Sequence, residues 1–150
     1  MAHVPYTYKQ IRSRRYVFIS DGNRRIEKVV DFIPLGVGNI MNLGFGDLLP
    51  DGTIDDKANS NNGDIVKVLA TVVDILRHFT AKYPKAVIYF RGSTEERTKL
   101  YGRILRSYYQ SFSKDFILMA IIGDKAENRT VLFDPRETSE YLAFFIKRIS

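Results

Sequence analysis

The feature that most constrains the fold is a change in hydrophobic period near residue 65. From there, apolar residues recur at intervals of three and four over about four turns, which is the pattern of one buried helical face. That face comprises Ile65, Val68, Leu69, Val72, Val73, Leu76 and Phe79. We predict a helix that has Asn62 as its N-cap, ends before Pro84, and turns Lys67, Thr71 and Asp74 outward.

The residues before this helix have the composition of β-strands. Residues 16–19 are aromatic and β-branched, and Asp21-Gly22 after them predicts a two-residue hairpin turn. We expect the return strand at about residues 25–33, where Lys28 interrupts an otherwise apolar face, and a third strand at about residues 40–48.

The second half of the chain predicts further strands around one more helix. Residues 86–90 form a compact apolar strand, and Ser93-Thr94-Glu95-Glu96 then fits a capping box that opens a helix to about Tyr109. Residues 115–122 are again apolar. Residues 135–148 fit either a helix or a strand, and we favour a short turn at 134–140 followed by a final strand.

These elements together predict a single α+β domain over residues 1–150. We expect a mixed, mainly antiparallel sheet of about six strands with two packed helices, in the order βββαβαββ.

The composition limits the cellular compartments and the kinds of site that we expect for this chain. The chain has 150 residues, 45% of them hydrophobic, and no cysteine. No stretch approaches the roughly 20 apolar residues that a membrane-spanning helix needs, and the first residues lack the pattern of a signal peptide. We therefore expect a soluble, cytoplasmic protein without membrane association, disulfides or thiolate metal sites.

The net charge of +6 is unevenly distributed. Residues 1–30 carry seven basic and two acidic side chains, residues 31–65 carry one and six, and residues 85–114 carry seven and two. Such asymmetry permits binding to phosphates, to nucleic acid or to an acidic protein partner. A solvated surface of mixed charge is the alternative explanation.

A strand-to-helix junction gives the strongest candidate for a binding site. Arg91, Gly92, Ser93 and Thr94 lie where the strand at 86–90 ends and the second helix begins. The N–H groups of a first helical turn attract anions, and Arg91 and Arg97 each add a forked donor for phosphate or carboxylate. The alternative is that these residues only turn the chain and cap the helix, while the two glutamates after Thr94 repel an anion.

The first hairpin combines arginine with tyrosine, a pairing that contacts nucleic-acid backbones and stacks on bases. Its members are Arg12, Arg14, Arg15, Arg24, Arg25 and Lys28, with Tyr6, Tyr8 and Tyr16. No recognised nucleic-acid motif accompanies them, so an exposed hairpin of mixed charge is the alternative.

The sequence assembles no catalytic constellation. The aspartates between residues 51 and 64 depart from EF-hand spacing. His3 is terminal, and we place His78 on the surface of the first helix. We predict no metal and no cofactor, and we favour a binding function over catalysis.

Three segments together carry a resemblance. They are residues 42–47 (NLGFGD), residues 60–64 (SNNGD) leading into residues 67–72, and Gly92-Ser93-Thr94 with Arg97 and Leu100-Tyr101. From about residue 16 to its end, the chain resembles an uncharacterised family of small proteins found mostly in Bacteroidetes. That family has no established activity, so the resemblance implies membership and little chemistry.

The predicted element order also resembles the core of the GNAT acyltransferases. In that superfamily the helix after the strand block opens with a glycine-rich loop that holds the pyrophosphate of acetyl-CoA. Here that place holds Asn61, Asn62, Gly63 and Asp64, with one glycine and a carboxylate. The resemblance implies a GNAT-like shape, and the departure in the loop counts against CoA binding.

Three functions from different classes follow. The first, which we favour, is a binding module for a phosphate-bearing ligand or nucleic acid at Arg91-Gly92-Ser93-Thr94, with Asn61, Asn62 and Gly63 as further ligand-binding residues. The second is a protein-interaction component, such as one half of a toxin–antitoxin pair, whose basic surface meets an acidic partner. The third is a GNAT-like acyltransferase.

Overall fold

Nine β-strands and three helices form in the part of the chain that the computed structural model describes, residues 4–55, 62–123, 127–137 and 140–149. The predicted count of about six strands and two helices is therefore wrong, and so is the order βββαβαββ. The chain divides into two units. The first unit is Met1–Ile33 with Asn42–Tyr83, and the second unit is Pro34–Met41 with Pro84–Ser150.

Five strands belong wholly or mainly to the first unit. They are β1 Tyr8–Arg12, β2 Arg15–Asp21, β3 Arg25–Pro34, β4 Ile40–Leu48 and β5 Ile54–Asp55. β2 pairs antiparallel with both β1 and β3, and β4 follows β3 in the sheet order. The short β5 pairs antiparallel with the end of β4.

The predicted first helix is confirmed as α1, Ile65–Lys82. Phe79 of α1 stacks on Phe32 of β3, with ring centroids 3.9 Å apart, and burial of such side chains contributes about 1.5–3 kcal/mol each. Thr71, predicted to face outward, is buried and accepts a hydrogen bond from the Tyr6 N–H at 2.8 Å. Neither α1 nor any other described helix combines the length and the apolarity of a membrane span.

The turn between β2 and β3 is longer than predicted. Asp21 pairs with Arg25, so residues 22–24 form the loop in place of a two-residue Asp-Gly turn. The reason is a contact from outside the hairpin, because the main chain at Asn62 lies directly against the turn. A Cβ atom on Gly22 would come within 1.9 Å of the Asn62 carbonyl oxygen, so only glycine fits there.

Four strands and two helices form the second unit. They are β6 Val87–Phe90, α2 Glu95–Ser107, α3 Tyr109–Phe112, β7 Phe116–Gly123, β8 Asn128–Leu132 and β9 Tyr141–Arg148. The strand order is β6-β9-β7-β8, and every pair in it is antiparallel. β9 lies between β6 and β7, and its residues Ala143, Phe144 and Ile146 are buried. The favoured final strand is confirmed, and a helix over residues 135–148 is excluded.

The elements that the sequence did not predict are short or polar. β1 and β8 each pair with one strand only within their units, and most of their side chains are exposed. They therefore lack the apolar alternation of a half-buried strand. α3 is a single turn, separated from α2 at Tyr108. The GNAT resemblance depended on the predicted order and loses that support.

Candidate functional site

The predicted anion site lies at the junction of β6 and α2. Thr94 is the N-cap of α2, and its hydroxyl oxygen accepts a hydrogen bond from the Arg97 N–H at 3.2 Å. The predicted capping box from Ser93 to Glu96 is therefore wrong, because the N-cap is Thr94 and the third helical residue is Arg97, which cannot complete the box. The start of this 13-residue helix carries a partial positive charge, but Glu95 and Glu96 lie in its first turn and compete with an external anion.

Gly92 packs against the first turn of α2. Its N–H donates to the Thr98 hydroxyl at 3.0 Å. A Cβ atom added to Gly92 would lie 2.5 Å from both the Arg97 Cβ and the Thr98 nitrogen. The φ angle of Gly92 is not positive. Close contact between chain and helix thus requires the glycine, without any need for a ligand.

The two arginines at this junction differ in their contacts. The Arg97 guanidinium donates to the Ser93 hydroxyl at 2.8 Å, so both hydroxyl groups that the sequence assigned to an anion already interact with Arg97. Arg91 is exposed, and its side chain forms no hydrogen bond or ion pair within the described residues. Arg91 is therefore the predicted residue that remains most available to a ligand.

In the second predicted group, Asn61 to Gly63, the described residues stabilise the fold through hydrogen bonds and a bend of the main chain. Asn61 lies outside the described residues. Asn62 is only 3% exposed, and its Oδ1 accepts from the Arg24 N–H at 2.7 Å, while its Nδ2 donates to the Arg24 carbonyl at 2.6 Å and to the Ser20 hydroxyl at 3.0 Å. Gly63 has a φ of 77°, which suits the bend before α1. Asn62 clamps the β2–β3 turn and presents no free amide to a ligand.

Asp64 ties the same segment to the rest of the first unit. It takes the N-cap position of α1 that the sequence assigned to Asn62, but its side chain makes no capping hydrogen bond. Its Oδ2 instead accepts from the hydroxyl groups of Tyr6 and Ser20, each at 2.6 Å. Burial, and after it the hydrogen bond to Asp64, raises the pKa of Tyr6 above its usual value.

An open cleft lies beside the turn that Asn62 holds. It has a volume of about 600 Å³ and forms where β3 begins and β4 ends. Its lining consists of two chain segments, Arg24, Arg25, Ile26 and Glu27 on one side and Asp47, Leu48, Leu49 and Pro50 on the other. We call it the β3–β4 cleft.

Two arginines whose side chains have no partner among the described residues line the β3–β4 cleft. Arg24 and Arg25 are exposed, and neither side chain forms a hydrogen bond or an ion pair within the described ranges. Asp47, on the other segment, pairs with the buried Lys28 through an Oδ1–Nζ contact of 2.5 Å. This pair also explains the lysine that interrupts the apolar face of β3.

The other arginines of the predicted basic hairpin are less suited to a ligand. The Arg15 guanidinium donates two hydrogen bonds of 2.7 Å to the Asp31 carboxylate. These hydrogen bonds raise the pKa of Arg15 above its usual value. Arg12 and Arg14 are exposed on β1 and the turn after it, and they do not line the β3–β4 cleft. Arg24 and Arg25 combine exposure with a place in the lining of that cleft.

The sequence indicated the basic hairpin but not the cleft. Residues 24–27 and 47–50 are separated along the chain, and only the neighbouring positions of β3 and β4 bring them together. Among the described residues, no group of three or more histidine, aspartate or glutamate side chains is arranged to hold a metal ion. The arrangement in the cleft provides forked cations and shape, which is the chemistry of anion binding.

These features define a small α+β protein whose first unit contains a cleft lined by two arginines. The chain belongs to a family of unknown function (DUF6934), whose model matches residues 2–149. The expected membership of a family without an established activity is thereby confirmed. Neither a curated protein nor a solved structure gives a significant match.

Proposed function

We propose that this chain is a binding module for a phosphate-bearing ligand, which it holds in the β3–β4 cleft. The observation that carries the proposal is the pair of exposed arginines, Arg24 and Arg25, which line a concave surface and whose side chains have no partner in the described part of the chain. The positive charge of both arginines attracts an anion that enters the cleft.

Arginine suits this task because of its shape as well as its charge. Each guanidinium presents a planar fork of N–H donors that matches two phosphate oxygens in a charge-assisted contact. The main chain of Arg24 is clamped by Asn62 through bonds of 2.7 and 2.6 Å. The turn therefore keeps its geometry before a ligand arrives, which lowers the entropy cost of binding.

The junction at α2 stays a prediction for the phosphate position. Arg91 is exposed there, but the hydroxyl groups of Ser93 and Thr94 accept hydrogen bonds from Arg97 at 2.8 and 3.2 Å. An anion at this junction would lie near hydroxyl groups that already interact with Arg97 and near the carboxylates of Glu95 and Glu96. We place the ligand in the cleft first for that reason.

A thermal-shift titration of the whole chain tests the proposal. The ligands are inorganic phosphate, pyrophosphate, nucleoside monophosphates and short single-stranded RNA. A ligand at about 100 times its Kd raises the free energy of unfolding by about 2.7 kcal/mol, which is about 5–10 °C in Tm. We expect the double variant Arg24→Ala/Arg25→Ala to lose the shift.

Arg91→Ala is the matched control, because Arg91 is likewise exposed and without a partner among the described residues. Loss of the shift in Arg91→Ala but not in the double variant would move the ligand to the α2 junction. No shift with any phosphate ligand would refute the proposal.

The other two functions have less support. Exposed Lys9, Arg12 and Arg14 offer positive charge to an acidic protein partner, but no described surface selects one. Co-purification of an acidic protein, together with a failed ligand screen, would favour that alternative. An acyltransferase is not proposed, because the element order on which it depended is not present.

A further inference from the structure

The charges that line the β3–β4 cleft are mixed rather than uniformly positive. Arg24 and Arg25 contribute two positive charges, Glu27 contributes a negative charge without a partner among the described residues, and the charge of Asp47 is paired with Lys28. A nucleic-acid strand carries phosphates at regular spacing and binds in grooves of continuous positive charge. The Glu27 carboxylate would repel the phosphates that follow the first one, so the cleft fits a ligand with a single phosphate group.

Glu27 adds a feature that a simple anion site does not need. It is exposed, and its carboxylate has no hydrogen bond or ion pair within the ranges that the structure describes. An ionised carboxylate only accepts hydrogen bonds. Asp47 differs, since Lys28 already pairs with it. Glu27 therefore suits a hydroxyl or amino group on a ligand whose phosphate contacts the arginines.

The size and the remaining lining indicate how large that ligand is. The volume of about 600 Å³ lies within the roughly 300–1,000 Å³ that small-molecule sites occupy. Leu48, Leu49 and Pro50 supply an apolar surface on one side, and Ile26 supplies one on the other. A flat or apolar part of a small ligand can cover this surface, whereas a free phosphate would leave it exposed to water.

We infer that the ligand is a nucleotide-sized phosphomonoester whose organic part carries hydroxyl or amino donors, and that the cleft does not bind a nucleic-acid strand. This inference rests on the proposed phosphate-binding function. The phosphate contacts Arg24 and Arg25, the donor group contacts Glu27, and the organic part covers Leu48 and Leu49.

Isothermal titration calorimetry of the whole chain, at low and at high salt, tests the inference. The probes are adenosine 5′-monophosphate, ribose 5-phosphate, adenosine, inorganic phosphate and a short single-stranded RNA. At least one of the two monophosphate esters should bind about tenfold or more tightly than inorganic phosphate, with a weak salt dependence. Similar affinity for both esters identifies a sugar phosphate, and tighter binding of the nucleotide identifies a contact with the base.

Glu27→Gln should weaken binding of the ester several-fold and leave the affinity for inorganic phosphate unchanged. Glu140→Gln is the matched control, because Glu140 is also exposed and has no partner among the described residues. Equal affinity for the esters and for inorganic phosphate would overturn the inference.

Tighter binding of RNA, with a steep salt dependence and a gain in Glu27→Gln, would overturn the inference as well. In that case the proposed function would stand and the ligand would be a strand. Failure of every phosphate probe, or binding that persists in Arg24→Ala/Arg25→Ala, would instead refute the proposed function.

Discussion

Replacement of Asn62 by alanine tests the residue that holds the wall of the β3–β4 cleft. The amide of Asn62 bonds to the N–H and carbonyl of Arg24 and to the hydroxyl and carbonyl of Ser20, over 2.6 to 3.3 Å. Alanine removes these bonds and keeps the main-chain bond from the Asn23 N–H, at 2.8 Å. The segment before α1 would then have no side-chain hydrogen bond from Asn62 to the β2–β3 turn.

The expected loss follows from the three shorter bonds, since the contact of 3.3 Å to the Ser20 carbonyl is weak. At a net value of about 0.5–1.5 kcal/mol for each bond, Asn62→Ala should lower the free energy of unfolding by about 1.5–4.5 kcal/mol. For a chain of this length the fall in Tm is about 3–18 °C. Asn62→Asp should cost at least as much at neutral pH, because it loses the donor and places a second carboxylate near Ser20, which already donates to Asp64.

Urea unfolding followed by circular dichroism measures these losses. Asn39→Ala is the control, because Asn39 is exposed, and it should change the free energy of unfolding by less than about 0.5 kcal/mol. A loss below about 1 kcal/mol in Asn62→Ala would show that water replaces the amide. The clamp would then not explain the geometry of the turn.

Two further predictions concern the second unit and alkaline pH. Gly92→Ala should lower the free energy of unfolding by about 1–3 kcal/mol, because its methyl group would lie 2.5 Å from the Arg97 Cβ and the Thr98 nitrogen. An unchanged Tm in a thermal melt would contradict that contact. Burial, and secondarily the charge of Tyr83, raises the pKa of Tyr16 from 10.0 to about 12, so the unfolded chain releases this proton first. The contribution of Tyr16 to stability is therefore complete below pH 10.0 and is lost as the pH rises towards 12. Thermal melts across the alkaline range should show a smaller decline for Tyr16→Phe than for the parent chain, and equal declines would refute the assignment.

The elements that the sequence predicted are those with a buried apolar pattern of their own. α1 follows helical spacing through Phe79, and β7 and β9 are mainly apolar strands that each pair with two neighbours. β1 and β8 were missed for the opposite reason. Most of their side chains are exposed, and the backbone bonds that pair them with a neighbouring strand leave no hydrophobic period in the sequence.

Some predicted side-chain orientations and turns differ from the structure because tertiary contacts determine them. The position of Thr71 in the helical pattern predicts an exposed side chain. The side chain is instead buried, and its hydroxyl oxygen accepts a hydrogen bond from the Tyr6 N–H. The Asp21-Gly22 pair favours a two-residue turn, but the main chain at Asn62 occupies the adjacent space. Neither contact is visible from local sequence, since each joins residues far apart along the chain.

In both segments to which the sequence assigned a ligand, most of the described polar groups form hydrogen bonds with other residues of the protein. Asn62 clamps Arg24, and Thr94 and Gly92 bond to the first turn of α2. A polar side chain whose hydrogen bonds are all made within the protein supports a binding site indirectly. It fixes the position of neighbouring residues, and those residues contact the ligand. The clamp of Asn62 ends at Arg24, whose guanidinium has no partner among the described residues. Asn62→Ala should therefore weaken ligand binding through the position of Arg24, and a ligand affinity that survives this substitution unchanged would place the phosphate away from the cleft.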